Sequence, residues 1–292
     1  MPSIKDIKYG TPSQPRQIRL DSTTRCQASC LSCHRHNSDR KGEMPFDLIK
    51  QVINDVARWE KPLDEIVPVN YGEFFLRKDW FDILTLIAQK LPATEITLAT
   101  NGALVSESVV FKLCSIPNFR VINFSVNGYF AETYEKFMGL KADTIKGIRK
   151  AIAQFKVLRP DIRLKASMVF DPMYQSDLER DFFEQYWAGA VSWNPMLNKP
   201  DVWAIAAASC GRGTPIKIPR VLPCRSIFSD FVIGYDGKLS SCCFDAGMVL
   251  DLGNYSGDTR KDWDNGKLTD LRRLHNENRR EEIPLCRDCS FA

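Results

Sequence analysis

The sequence predicts an α/β protein: a partial (β/α)6 barrel, open along one side, followed by a small unit made of one β-hairpin and one helix. Three observations carry this expectation. Strand-like and helix-like runs alternate through the first 190 residues; the texture then turns to Pro, Gly and small residues; and cysteines gather in two sets at opposite ends of the chain. A chain of 292 residues can bury a large core, and the change of texture puts the boundary near residue 195. Residues 1–195 form the barrel on this reading, and 196–292 a linker and the smaller unit.

The elements follow in order. "RQIRLDST" is a first short strand, a cysteine-bearing loop comes next, and "PFDLIKQVINDVARW" is a helix with Pro45 near its start. "DEIVPVN" and "KDWFDILTLIAQKL" make the next strand and helix, "TEITLAT" and "SESVVFKLCSI" the third pair. "FRVINFSVN" is followed by the helix "DTIKGIRKAIAQFKVL", then "DIRLKASMVF" by "DLERDFFEQYWA", with a sixth strand expected near Val191. Apolar, β-branched strands separated by helices call for a parallel sheet, because parallel neighbours need a crossover connection. The stretch from Asn194 to Cys224 has no clean period and reads as a linker. "FSDFVIGYDGKLSSCC" turns at Tyr235-Asp236-Gly237 and reads as a hairpin, and "KLTDLRRLHNENRR" is a basic helix leading to Cys286 and Cys289.

Composition excludes several function classes. Lys+Arg is 40 and Asp+Glu 36, a net charge of +4, so no basic footprint for nucleic acid is present. The densest basic run, Arg272, Arg273, Arg279 and Arg280, reads as a solvated helix face. The N-terminus lacks the apolar stretch of a signal peptide, and no run of about 18 apolar residues exists, so neither secretion nor a membrane span is expected. Ten cysteines then sit in a reducing, cytoplasmic setting, where clustered thiols point to metal or catalysis rather than disulfides.

Cys26, Cys30 and Cys33 occupy the loop after the first strand, at the carboxyl end of a parallel sheet, where α/β proteins bind ligands. Three thiolates can hold three corners of a [4Fe–4S] cube and leave the fourth iron open to an exogenous ligand. With His36 they could also form a zinc site, the four C-terminal cysteines making a second one. Against zinc stand the seventeen residues between Cys224 and Cys242, where structural zinc sites use tight pairs.

Cys26-x3-Cys30-x2-Cys33 on the first βα loop resembles the radical S-adenosylmethionine (radical SAM) superfamily. Three further motifs agree in order: "YGEFFLRKDW", "ATNG" and "NFSVNGYFAETYEKFMG". The resemblance implies that Gly72 and Glu73 hold the methionine amino group, that Thr100 and Asn101 lie near the ribose, and that Ser125 helps bind SAM. It covers about residues 15–190, and Phe74, Asn127 and Ser32 depart from the usual residues at their positions.

The second set, Cys224, Cys242, Cys286 and Cys289, resembles the auxiliary-cluster domain known as SPASM, in the shortened "twitch" form with one cluster. Gly237 favours Cys242 over Cys243 as the matching ligand. A cluster with all four corners protein-bound suits electron transfer. Cys114 reads as a small buried hydrophobe; Cys243 and Cys210 are either core thiols or hydrogen-atom donors, Cys243 alternatively a cluster ligand. His34 and His36 face solvent or support the cluster.

The family resemblance implies the following chemistry. One electron from a reductant such as flavodoxin or ferredoxin cleaves SAM to a 5′-deoxyadenosyl radical, which takes a hydrogen atom from the substrate. Loss of an electron to the auxiliary cluster then makes the reaction an oxidation, with Lys165 or Asp245 as candidate base; return of a hydrogen atom from Cys243 or Cys210 makes it an epimerisation. Only about fifteen residues precede the first strand, too few for a peptide-recognition domain. A small polar substrate, an amino sugar or aminocyclitol, is therefore expected ahead of a ribosomal peptide.

Overall fold

The computed structural model describes residues 8–193, 195–198, 223–287 and 289. Eight strands form one open sheet in the order β6-β5-β4-β3-β2-β1-β7-β8. They are β1 (Gln17–Leu20), β2 (Glu65–Val67), β3 (Glu95–Thr100), β4 (Phe119–Ser125), β5 (Arg163–Val169), β6 (Met196–Asn198), β7 (Asp230–Ile233) and β8 (Leu239–Ser240). Every pairing is parallel except that of β7 with β8.

The sheet's two faces have opposite chemistry, as the period of two along a strand demands. On β1, Ile18 and Leu20 are buried against helices while Gln17 and Arg19 face the barrel interior; on β3, Ile96 and Leu98 alternate with Glu95 and Thr97 in the same way. The register brings the interior residues together, Gln17 beside Glu65 and Asn123 beside Lys165. These polar groups satisfy one another across the interior: Gln17 and Thr97 donate to Glu65, and Arg163 pairs with Glu95.

Six helices cover the outer face. They are α1 (Phe46–Val56), α2 (Trp80–Lys90), α3 (Glu107–Cys114), α4 (Ala131–Met138), α5 (Asp143–Leu158) and α6 (Asp177–Ala188). In α1 the buried apolar side chains are Ile49, Val52, Ile53 and Val56, a helical stripe, and truncating an isoleucine to Ala costs about 2–5 kcal/mol. Ser106 and Ser176 cap α3 and α6 by accepting the amides of Val109 and Glu179. Expected and observed ranges of α5 and α6 coincide.

Three features differ from the expectation. Helix α4 was absent from it, although it lies inside the "NFSVNGYFAETYEKFMG" stretch. The sixth strand runs over Met196–Asn198, not near Val191, where the chain is still leaving α6. The hairpin does not stand apart either: β7 pairs with β1 along its whole length and extends the barrel sheet.

A short helix, α7 (Ser226–Ser229), leads into β7, and after the hairpin come α8 (Thr259–Trp263) and α9 (Gly266–Asn276). The hairpin turn runs from Gly234 to Gly237, and Gly237 at φ +83° adopts a left-handed conformation that favours glycine. Arg272, expected on a solvated face, is instead 2% exposed, stacked 4.0 Å from the Trp263 ring centroid and donating to the Ile227 carbonyl. Among the described residues no helix is long and apolar enough to cross a membrane.

Candidate functional site

At the carboxyl ends of β1 to β5 lies a cavity of about 310 Å³. Its wall includes Cys26, Cys30 and Cys33, then Gly72, Glu73, Thr100, Asn101 and Ser125, so the structure brings together all eight residues that the motifs singled out for the first site.

The cysteine loop is held from two sides. On one side α4 ends at Gly139, whose φ is +65°. A Cβ there would sit 1.9 Å from Ser29 Oγ, so the helix end and the loop touch. The N–H groups of Ser29 and Leu31 donate to the carbonyls of Met138 and Phe137, 2.9 Å each, which places Cys30 Sγ 3.4 Å from Met138 Sδ. The unexpected helix is thus what shapes the loop. On the other side, the Glu73 N–H donates to the Arg25 carbonyl at 2.7 Å, and a Cβ on Gly72 would stand 2.1 Å from the Thr23 carbonyl oxygen. Only glycine allows that approach.

Glu73 is buried and fully oriented. Its carboxylate accepts from Thr100 Oγ1 at 2.9 and 3.0 Å, from the Asn101 N–H at 2.9 Å and from the Phe75 N–H at 3.3 Å. Burial pushes its pKa up and these donors offset part of the rise, so the carboxyl group is held in one orientation beside the cavity. Asn101 plays a part the motif did not suggest: its Nδ2 donates toward Cys26 Sγ at 3.6 Å, while its Oδ1 accepts from Gln27. Burial raises the Cys26 thiol and pushes Cys30 up to about 12, with negative charge on Cys33 and Cys26 adding to the latter. Such a set ionises only against a bound cation, and binding it releases protons.

Arg19, Asn70, Tyr71, Asn123, Ser167, Val169, Cys243 and Phe244 also line the cavity. Sequence reasoning missed most of these, because they come singly from separate strand ends. His34 is buried, its ring edge-on to Tyr71 and Phe244 at 6.2 and 6.1 Å, and burial holds its pKa down to about 4, so the imidazole is neutral. His36 is exposed.

The second cysteine set lines a separate, mostly apolar cavity. Cys224, Cys242, Cys286 and Cys289 border it with Ile227, Leu285, His275 and Arg280. Burial raises Cys242 and Cys286, and each is raised further by neighbouring thiols, Cys242 by Cys243, Cys286 and Cys224, and Cys286 by Cys224 and Cys289. In both cavities the thiols line the wall without converging: among the described residues no three Cys, His, Asp or Glu side chains meet as a single ion requires. A cube, which offers each thiolate its own iron, suits donors spread in this way.

The adjacent residues Cys242 and Cys243 part company. Cys242 borders the four-cysteine cavity, Cys243 the three-cysteine one, and Phe244 borders both. The Cys243 carbonyl is fixed by Tyr71 Oη at 2.5 Å and Asn70 Nδ2 at 3.5 Å.

The two candidate bases are elsewhere. Lys165 is on the interior face but lies toward the start of β5, in a cavity with Arg16, Asp64, Glu65, Glu95, Arg163 and Trp193, its Nζ 3.9 Å from the Trp193 ring centroid. Asp245 is 1% exposed and accepts from Ser240 Oγ at 2.8 Å and from the amides of Val249 and Leu250 at 2.7 and 3.1 Å. It holds a turn and borders neither cysteine cavity. Cys114 is half-buried at the end of α3 rather than fully buried, and Cys210 falls outside the described residues.

Comparison with known proteins agrees with this geometry. The sequence model of the Radical SAM superfamily matches residues 20–180, more than half of the chain, and that of SPASM, an iron-sulfur cluster-binding domain, matches residues 224–290. A probable GTP 3′,8-cyclase of Methanosarcina mazei is 29% identical over 145 residues, 46% of this chain and 41% of that protein. Another, of Methanocaldococcus jannaschii, is 30% identical over 152 residues, 51% and 48% of the two chains. The chain thus spans less than half the length of these relatives. Among solved structures, BtrN in complex with AdoMet and 2-DOIA superposes with a TM-score of 0.67 at 16% identity, over 97% of this chain and 94% of that one. SuiB of Streptococcus suis bound to precursor peptide SuiA gives 0.61 at 15% identity, over 90% and 67%. Native anSMEcpe with AdoMet and the Cp18Cys peptide gives 0.60 at 16% identity, over 94% and 88%. At these identities the superpositions establish the fold.

Proposed function

The chain belongs to the Radical SAM superfamily, and we propose that it is an oxidoreductase acting on a small polar substrate such as an amino sugar or aminocyclitol. Its cofactors are SAM, a SAM-binding [4Fe–4S] cluster and an auxiliary [4Fe–4S] cluster. In this reading Cys26, Cys30 and Cys33 hold the first cluster, and Cys224, Cys242, Cys286 and Cys289 the second. When bound, these groups supply a 5′-deoxyadenosyl radical at the first site and a one-electron acceptor at the second.

The observation that carries the reading is the shared wall: Phe244 lines both cavities. A substrate in the first cavity then shares a wall residue with the second. Glu73, oriented by Thr100 and Asn101, holds the amino group of SAM, and Ser125 lies in the same wall. Asn70, Asn123 and Ser167 offer neutral donors and acceptors suited to hydroxyl and amino groups, while Val169, Met138 and Phe244 keep water from the reacting carbon. A reductant such as flavodoxin or ferredoxin and a cytoplasmic setting complete the proposal.

A second reading has its own observation. Cys243 lines the substrate cavity, so return of a hydrogen atom from its thiol would make the reaction an epimerisation. One experiment separates the two. Reconstituted protein is incubated anaerobically with SAM, dithionite and a panel of aminocyclitols, amino sugars and, as the peptide arm, short Cys- or Ser-containing peptides, in deuterated water. Oxidation gives one carbonyl product per 5′-deoxyadenosine and no deuterium on the product carbon. Solvent deuterium at an inverted carbon, lost in Cys243→Ala, sinks oxidation, and turnover of peptides alone sinks the small substrate.

A further inference from the structure

The wall of the four-cysteine cavity contains a charge that the proposed reaction has not used. Among the described residues lining it, Arg280 is the one with a permanent charge; the others are the four cysteines, Ser226, Ile227, Phe244, Leu285 and His275. His275 Nδ1 accepts the Cys224 N–H at 3.2 Å, so that nitrogen carries no proton. Arg280 opens the short turn Arg280–Glu282 that leads to Cys286: its carbonyl accepts the Ile283 N–H, and the Ile283 carbonyl accepts the amides of Cys286 and Arg287. The arginine and two of the cysteines thus sit on one short, internally bonded segment. The side chain is half-buried: burial lowers its pKa, and negative charge on Cys289, Cys286 and Cys224 works against that, so its charge and those of the three thiols are coupled across the cavity.

We propose that Arg280 acts through the four thiolates to hold the reduction potential of the auxiliary cluster up, so that this cluster accepts an electron from the neighbouring substrate cavity. The inference rests on the reading of Cys224, Cys242, Cys286 and Cys289 as the ligands. A cluster with four thiolates is already an anion, and each electron it gains adds to that charge. A guanidinium in a partly buried wall stabilises the more negative, reduced form more than the oxidised one. The step is one electron gained by the cluster and lost by the substrate radical in the adjoining cavity; the substrate's hydroxyl proton leaves to water in its own cavity, and no atom passes between the two.

Its neighbour provides an internal control. Arg279 is exposed and paired with Glu277 at 2.8 Å and Glu282 at 2.6 Å. Replacing it changes the net charge equally, but in solvent, where screening is strong.

The test is a redox titration monitored by electron paramagnetic resonance on the full-length chain with Cys26, Cys30 and Cys33 replaced by Ala, which leaves the second cluster alone to be read. Arg280→Gln is expected to shift the reduction equilibrium roughly tenfold toward the oxidised form, about 59 mV for a one-electron couple, with iron content unchanged. Arg280→Lys, which keeps the charge, and Arg279→Gln should both stay near the parent. An unmoved potential in Arg280→Gln, or an equal shift in Arg279→Gln, overturns the proposal. Should Arg280→Gln lose its iron, Arg280→Lys decides: iron retained at the parent potential supports the proposal, and a lowered potential overturns it. A parent protein with no cluster at all refutes the ligand assignment, and the inference falls with it.

Discussion

The two cysteine sites are built on opposite plans. The first takes three thiols from one loop and places them in a cavity of about 310 Å³, beside a buried carboxylate and a row of strand-end amides and hydroxyls. The second takes four thiols from three separated segments and closes them into a mainly apolar pocket. An open position needs room and polar partners for what will fill it; a closed one needs exclusion. On the proposed reading, the first site meets small molecules and the second passes charge. The same contrast explains the neighbours Cys242 and Cys243, which serve one plan each.

The comparison breaks most visibly at the ligands. Replacing Cys26, Cys30 and Cys33 with Ala should remove about half of the bound iron and all SAM-dependent release of 5′-deoxyadenosine. Cys242→Ala should remove the other half and leave reductive SAM cleavage in place, since the first cavity keeps its three thiols. Iron and sulfide assays with chromatography of the nucleoside read both. Equal loss of all iron in either variant would mean that the two sites do not assemble independently.

Next in size is Glu73→Gln. The carboxylate accepts from Thr100, Asn101 and Phe75, so an amide nitrogen in its place faces donors whichever way it turns. Loss of the charge and a mismatched buried donor together should weaken SAM binding by roughly a hundredfold. Iron at both sites should be retained. Equilibrium dialysis with labelled SAM checks this, and wild-type affinity would remove Glu73 from the SAM site.

Much of this was legible in the sequence, and the failures have physical causes. Parallel strands and their helices were readable because burial on one face imposes a period of two, and an outer helix a period near 3.6. Lys165 shows the limit of that signal. Its parity on β5 puts it on the interior face with Ser167, but parity carries no height, and two residues of strand, about 7 Å, separate it from the cavity that Ser167 borders. Strand β6 was hidden because "NPMLNKP" holds no β-branched residue, and it forms only because β5 offers an edge. Arg272 and Arg280 looked like parts of one basic face, yet a Trp263 ring buries the first and the thiol cavity claims the second. Tertiary partners decide such positions, and one sequence does not display them.

The smallest expected effect concerns the seam where the two plans meet. Asp21 at the end of β1 accepts the Tyr71 N–H at 3.3 Å, and Tyr71 Oη donates to the Cys243 carbonyl, so one buried carboxylate anchors the link between the cavities. Burial raises Asp21 to about 6, against about 4 for an unfolded Asp. Between those values the folded chain binds a proton that the unfolded chain has released. The stability this confers is therefore fully present below about pH 4 and is lost as pH rises through about 6. At two pKa units the change reaches at most about 3 kcal/mol. Asp21→Asn keeps an acceptor for Tyr71 and cannot ionise. It should match wild type near pH 4, exceed it above pH 6, and flatten this part of the pH dependence. Urea unfolding of both proteins at pH 4.5, 5.5 and 7 measures the difference. Parallel pH dependences in the two proteins would show that Asp21 is already ionised in the fold, and that the seam is held by Tyr71 alone.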